Sequence, residues 1–198
     1  MKPLNLFARR LGVVAALALT PALTSTAHAE PARTSEARLD ALLDAIDVVP
    51  PSGAALLTAF PDAEARLIAI AQDARRSSWH RQRALSLLSF LPSERTRAAV
   101  LGLCEASGDR ELTGLATYTL GRAFGSTLGT RELALLERRA LDADPNLAEQ
   151  AVRALRWVDH AEAKRILTRV VTETKTTRPE LSRLAATTQA RRQARLSR

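Results

Sequence analysis

One pattern recurs three times along the chain and constrains the fold more than any other feature. Each copy places an alanine, Ala84, Ala116 or Ala151, at the centre of an apolar helical face. The alanines are 32 and 35 residues apart, a period typical of stacked helix pairs rather than of a single closed core. Apolar residues recur at helical spacing through most of the chain, and no stretch alternates as a strand does. The sequence therefore predicts an all-α fold.

Capping and breaking residues indicate about ten helices in five pairs. Asp144 followed by Pro145 is a strong start signal. Asp159-x-x-Glu162 and Thr177-x-x-Glu180 have the spacing of capping boxes. The helices are expected from residue 35 to the prolines at 50 and 51, over 52–60, after 62, over 79–91, 93–106, 110–124, 130–141, 145–158 and 159–174, and, more weakly, from 177.

The repeated segments resemble a known family. The third copy reads Asp144-Pro145-x-Leu147-x-x-x-Ala151-x-x-Ala154-Leu155 and resembles the HEAT-repeat consensus. The second copy, with Asp109, Leu112, Ala116, Leu120 and Gly121, is similar to the same consensus. Arg81 stands where the family has an arginine, and Thr113 and Ala148 replace it in the other two copies. The resemblance implies a right-handed α-solenoid of about five antiparallel helix pairs, in which each repeat buries its faces against its neighbours.

A tetratricopeptide repeat is the weaker alternative. Leu120-Gly121-x-x-Phe124, Ala140 and Pro145 look like one such repeat, but the register is not repeated upstream. Both families imply a helical solenoid.

The first 29 residues have the three parts of a secretory signal. Lys2, Arg9 and Arg10 precede an apolar segment, residues 11–19, and an A-x-A motif ends at Ala29. Cleavage would leave Glu30 as the new N-terminus of a periplasmic or secreted protein with no transmembrane segment. The expected organisation is a signal over 1–29, a HEAT-like domain over 30–175, and a basic C-terminal tail or weak capping helix over 176–198.

The formal net charge of +8 is unevenly distributed. Residues 30–174 hold 19 basic and 20 acidic residues, whereas 175–198 hold seven basic residues against Glu180 alone. The neutral body argues against nucleic acid as a partner. The tail is expected to be mostly disordered. Alternatively, it tethers the protein to an anionic envelope surface through Arg191, Arg192, Arg195 and Arg198.

No reactive constellation is evident. After cleavage the chain keeps His80, His160 and Cys104 as its only histidines and cysteine, without the short-range pairs that metal sites use. We expect His80 in the core or at a groove edge, His160 on the surface, and Cys104 as a small buried apolar residue. No metal, cofactor or catalytic residue is predicted, and a hydrolase or lyase on a helical-repeat frame is the least favoured alternative.

The remaining candidate is a binding surface. Numbering each copy from its alanine as position zero, positions −2, +2 and +5 lie opposite the apolar face. In a solenoid this row would line the concave side, with Phe90 and Trp157 beside it at +6. The sequence therefore favours an exported protein-interaction or scaffolding module whose partner-binding face comprises Gln82, Ser86, Ser89, Tyr118, Glu149, Arg153 and Arg156, with Gly114 and Gly121 in the same row.

Overall fold

The computed structural model describes residues 35–45, 48–50, 52–106 and 108–198, which fall in one compact unit, Arg33–Arg198. The proposed signal and its cleavage site at Ala29 and Glu30 lie outside the described residues. Within them the chain is all-α, with ten α-helices and no strand, which confirms the expected fold class. The helices are α1 (Ser35–Asp44), α2 (Gly53–Ala59), α3 (Ala63–Gln72), α4 (Ser78–Leu88), α5 (Glu94–Glu105), α6 (Arg110–Phe124), α7 (Thr130–Ala140), α8 (Pro145–Ala154), α9 (Glu162–Thr174) and α10 (Pro179–Leu196).

Side-chain caps define five of the ten described helix starts. Because an N-cap oxygen satisfies a backbone N–H that has no partner within the helix, these residues set where each helix begins. Asp62 precedes α3 but accepts no such bond. The caps that do are Ser52, Ser77, Ser93, Asp109 and Asp144.

The two predicted capping boxes near the C-terminus are wrong. At α9 the N-cap is Ala161, and the Glu162 N–H donates to His160 Nδ1 at 3.1 Å. Asp159 instead forms an ion pair with a residue of α10. That helix starts with Pro179 at its first position. The ring fixes φ in the helical range and removes one of the N–H groups that lack a partner at a helix start, and no side chain caps this helix.

The end of α8 also differs from the prediction. The helix was expected to continue to Val158, but it ends at Ala154 and tightens into a 3₁₀ turn, Leu155–Trp157. Such turns are common at the ends of α-helices. Beyond the turn, the Asp159 N–H donates to the Gly125 carbonyl at 3.0 Å, which ties this segment to the end of α6.

The C-terminal segment is a helix, not a disordered tail. Residues 179–196 form α10, which packs on α9 and α8 and on the 3₁₀ turn that follows α8. Leu181 and Ala185 are buried there, and so is Arg192. The composition suggested disorder because most of the charge lies on the exposed face of α10, while the buried face uses small and polar side chains.

Four couples of successive helices are in extensive contact, α3 with α4, α5 with α6, α7 with α8, and α9 with α10, and the contact between α6 and α8 is more extensive than any of these. The second helices of these pairs, α4, α6, α8 and α10, also contact one another in chain order. In the described residues α1 packs mainly on α4 and α2 on α3, and no extensive contact joins α1 to α2. One continuous apolar core runs from Leu39 to Ala185.

The repeat alanines occupy fully buried positions of the second helices. Ala84, Ala116 and Ala151 have no exposed surface. Ala185 in α10 is equally buried and follows Ala151 by 34 residues. A buried alanine thus recurs in α10 at the same spacing, which was not recognised in the sequence.

At position −3 of the repeat, a polar side chain links three of the four second helices to the end of the preceding helix; the exception is α8, where this position is Ala148. In the first copy Arg81 Nε donates to the Ala71 carbonyl at 3.2 Å, and its Nη1 reaches Asp109 Oδ2 at 3.0 Å. That guanidinium therefore joins the end of α3 to the N-cap of α6, which belongs to the next pair. Thr113 and Ser182 make only the first kind of bond, to the carbonyls of Ala106 and Val171 at 3.2 and 3.1 Å.

A cavity lies where the shorter Thr113 side chain ends. Its volume is about 270 Å³, and Arg139, Asp142 and Asp144 are among the residues that line it. Asp144 Oδ2 is reached from the surface by Arg110 Nη1 at 3.0 Å. Arg110, which is mostly exposed, thus makes the link to the next N-cap aspartate here, whereas Arg81 makes the equivalent link from a half-buried position.

Candidate functional site

The predicted row of polar residues is only partly on the surface. Gln82, Ser86, Ser89 and Tyr118 are half-buried. The Gln82 amide donates to Glu111 Oε2 at 3.1 Å, which links α4 to α6, and Ser89 Oγ donates to the Ser86 carbonyl at 2.7 Å. These hydrogen bonds hold the row in a defined arrangement, and its side chains stay accessible in part.

Two members of the row are packing positions. Gly114 and Gly121 are buried. A Cβ at Gly121 would lie 2.6 Å from the Ala154 carbonyl oxygen, and one at Gly114 would lie 3.3 Å from Gln150 Cγ. Glycine is needed at 121 because α8 approaches α6 closely at this point. Their predicted position opposite the buried face is therefore wrong.

A second row, at position +6, alternates aromatic and arginine side chains, Phe90, Arg122, Trp157 and Arg191. Arg122 and Arg191 lie in α6 and α10, whereas Phe90 lies just beyond the end of α4 and Trp157 lies in the 3₁₀ turn after α8. The Arg122 guanidinium carbon lies 5.5 Å from the Phe90 ring centroid and 5.9 Å from that of Trp157, distances typical of cation–π contacts. Arg122 was missed in the sequence, although it occupies the same repeat position as the two aromatic residues.

The row ends in a cleft between α8 and α10. We define the α8–α10 cleft by two adjoining depressions of about 240 and 350 Å³. Both include Arg156 and Arg191, and the second has the Trp157 ring in its wall. The remaining lining residues are Arg153, Leu184 and Thr188 in the first depression, and Ala194, Arg195 and Arg198 in the second.

Two of the cleft arginines are paired with carboxylates. Arg153 Nη2 lies 3.0 Å from Glu149 Oε2, and Arg195 Nη2 lies 2.5 Å from Asp159 Oδ1. Arg195 Nε also donates to the Arg156 carbonyl at 3.2 Å. These contacts fix the orientation of one arginine on each wall.

The other three cleft arginines carry uncompensated charge. Arg156, Arg191 and Arg198 form no ion pair with an acidic residue in the part of the chain that the structure describes. The Arg156 guanidinium carbon lies 5.0 Å from the Trp157 ring centroid, and its Nε is buried without a hydrogen-bond partner. The cleft thus presents a surplus of positive charge on a rigid wall.

Arg192 is part of the core rather than of the proposed tether. Its side chain is buried, and it donates to the carbonyls of Val158, Asp159 and His160 at 2.7 to 2.9 Å. Burial lowers its pKa, and the neighbouring Arg195 charge acts in the same direction. An anionic surface could therefore meet Arg191, Arg195 and Arg198, but not Arg192.

The histidines and the cysteine have structural contacts. His80 Nε2 lies 2.7 Å from Asp44 Oδ1 and joins α4 to α1, while His160 is exposed at the start of α9. Cys104 is buried, and burial raises the pKa of its thiol to about 12. In the described ranges no group of three or more His, Cys, Asp or Glu side chains is placed to hold a metal ion.

Among the described residues, no helix combines the length and apolar character needed to cross a membrane.

Comparisons with protein families, curated proteins and solved structures find no match to the chain.

Proposed function

We propose that this chain is an exported, non-enzymatic helical-repeat protein that serves as a protein-interaction or scaffolding module. Its architecture would be a HEAT-like α-solenoid. The support for this arrangement is the chain-order contact of α4, α6, α8 and α10, together with an alanine of no exposure at the centre of each. Such an architecture offers a continuous surface made by one helix from every pair.

The observation that carries the binding role is the row at position +6. Arg122 lies between Phe90 and Trp157, and all three side chains keep exposed surface. Arginine and tryptophan are over-represented among residues that dominate binding energy at interfaces. Because cation–π contacts restrain the guanidinium, a partner would lose less side-chain entropy on binding there. Tyr118 and Arg153 flank the row and complete the proposed face.

Site-specific photo-crosslinking in the native host tests the binding face. A photoreactive residue at Tyr118 or Ser86 is expected to give a defined cross-linked product. The controls are Ala69 in α3 and Ala134 in α7, which are exposed on first helices. Equal products from both sets, or products only from the controls, would place the interface elsewhere.

A functional variant complements the cross-linking. Tyr118→Ala combined with Arg122→Ala is expected to abolish the product from Ser86 and to leave the circular dichroism spectrum unchanged. Persistence of the product in this folded variant would rule out these two side chains as binding determinants.

Export is tested separately. The basic residues, the apolar segment and the A-x-A motif before Glu30 motivate it. N-terminal sequencing of protein from the envelope fraction is expected to begin at Glu30. Recovery of a chain that still carries Met1 would show that the segment is not removed.

A further inference from the structure

We propose that the α8–α10 cleft is a binding site for a phosphate group, carried either by a soluble phosphate ester or by a lipid headgroup. The site is independent of the protein partner proposed above. Three arginines with no carboxylate partner, Arg156, Arg191 and Arg198, line its two depressions. Arginine presents several N–H donors in a planar fork that matches phosphate oxygens.

The walls of the cleft are held in place before any ligand binds. On one side the Trp157 ring supports the guanidinium of Arg156. On the other side, α10 is fixed by the three carbonyl contacts of Arg192 and by the burial of Leu181 and Ala185. Preorganised donors bind an anion with less loss of side-chain entropy than mobile surface arginines do.

The charge balance favours an anion with more than one negative charge. The acidic side chains at the rim, Glu149 and Asp159, are already paired with other arginines. Arg191 and Arg195 are four residues apart on α10, and Arg198 lies just beyond the end of this helix and lines the same depression, so their like charges repel. A phosphate monoester carries about −1.5 to −2 charges and three acceptor oxygens, so it can neutralise more of this surplus than a single carboxylate.

The depressions have room for more than the phosphate itself. Leu184 and Ala194 add apolar surface, and the Thr188 side chain at the floor is buried. Arg156 lines both depressions, so its guanidinium can donate to a ligand oxygen bound in either of them.

Calorimetric titration of the full chain with inorganic pyrophosphate tests the site. Arg191 and Arg198 are exposed, so Arg191→Gln combined with Arg198→Gln removes two cleft charges with little risk to the fold. Arg95→Gln combined with Arg138→Gln is the matched control, because it removes the same charge from exposed positions on α5 and α7. We expect the cleft variant to weaken binding about tenfold or more for each charge-assisted hydrogen bond lost, and the control to change little.

Vesicles distinguish the two sources of phosphate. If the headgroup is the ligand, the wild type and the control, but not the cleft variant, will sediment with vesicles that contain phosphatidic acid, whose headgroup is a phosphate monoester, and pyrophosphate will compete. If a soluble ester is the ligand, pyrophosphate binding will depend on the cleft while vesicle binding will not. No pyrophosphate binding by the wild type, or equal weakening in the two variants, would overturn the proposal.

Discussion

The Arg192 side chain donates from Nε to the Val158 carbonyl oxygen at 2.7 Å and so holds α10 against the end of the 3₁₀ turn. Its Nη2 reaches two further carbonyls, those of Asp159 and His160. One basic residue of the C-terminal segment therefore satisfies the backbone at the end of the preceding pair. The segment acts as the last packed helix of the structure.

Arg192→Ala is expected to destabilise the protein by about 2 to 3 kcal/mol, because charge-assisted hydrogen bonds are lost and buried acceptors are left without partners. Urea denaturation measures the effect. The neighbouring exposed residue gives the control: Arg191→Ala should change the free energy of unfolding by less than about 0.5 kcal/mol. Similar small effects at both positions would mean that α10 contributes little to folding.

Truncation after Thr177 should likewise lower the melting temperature.

Much of the fold was predictable because helix starts depend on local chemistry. Asp144 was recognised as a cap, and Ser77 and Asp109 have the same local signature, since the capping oxygen and the N–H it satisfies are close in sequence. The start of α9 was missed because a tertiary contact takes the expected capping residue. Arg195, 36 residues away, takes the Asp159 carboxylate.

The recurrence of the buried alanine in α10 could not be recognised from the sequence because polar residues surround it. Ala185 has the burial of the other repeat alanines, but the residues at its +3, +4 and +7 positions are Thr188, Gln189 and Arg192 rather than aliphatic ones. An apolar pattern cannot reveal a face that packs through a buried arginine. The period alone, 34 residues from Ala151, was the available signal.

At the candidate site, the sequence predicted which residues share a helix face, but it did not predict which side chains of neighbouring helices are in contact. Helical geometry placed Tyr118 and Arg153 in one row. It could not show that α8 closes over Gly121, nor that Arg122 lies between two aromatic rings, because both depend on how neighbouring helices cross.

Gly121→Ala is expected to destabilise by about 1 to 3 kcal/mol through overpacking. The added Cβ would meet the Ala154 carbonyl oxygen at 2.6 Å and the Ala154 Cβ at 2.7 Å. Thermal denaturation followed by circular dichroism measures the loss. Gly102→Ala in α5 is the matched control: its Cβ meets nothing within 4 Å, so the better helix propensity of alanine should stabilise by up to about 1 kcal/mol. Equal effects would mean that α6 and α8 are farther apart than described.

Thr113→Arg is expected to raise the free energy of unfolding by up to about 1 kcal/mol, because a guanidinium at this repeat position can pair with an N-cap aspartate as Arg81 does with Asp109. The cavity of about 270 Å³ that Thr113 lines provides the space, and Asp144 provides the carboxylate. Urea denaturation measures the change. Thr113→Ala is the comparison and should cost about 1 kcal/mol by removing the bond to the Ala106 carbonyl. Destabilisation by the arginine would show that Arg139 repels it from the cavity.

The Glu132 carboxylate accepts hydrogen bonds from Arg97 Nη1 at 3.0 Å and from the Gly129 N–H at 2.7 Å. Burial favours a higher pKa for Glu132, but the bonds from Arg97 and Gly129 outweigh it and hold the pKa below its ordinary value of 4.5. A lowered pKa in the folded state adds stability above pH 4.5 that is lost as the pH falls through the folded value. Glu132→Gln should therefore be less stable than the wild type by roughly 1 to 3 kcal/mol at pH 7, and urea denaturation at lower pH should show the gap closing. Glu94→Gln removes an 88% exposed partner of the same arginine and should show almost no gap at any pH. A gap for Glu132→Gln that stays constant down to pH 3 would mean that its carboxylate charge does not contribute to stability.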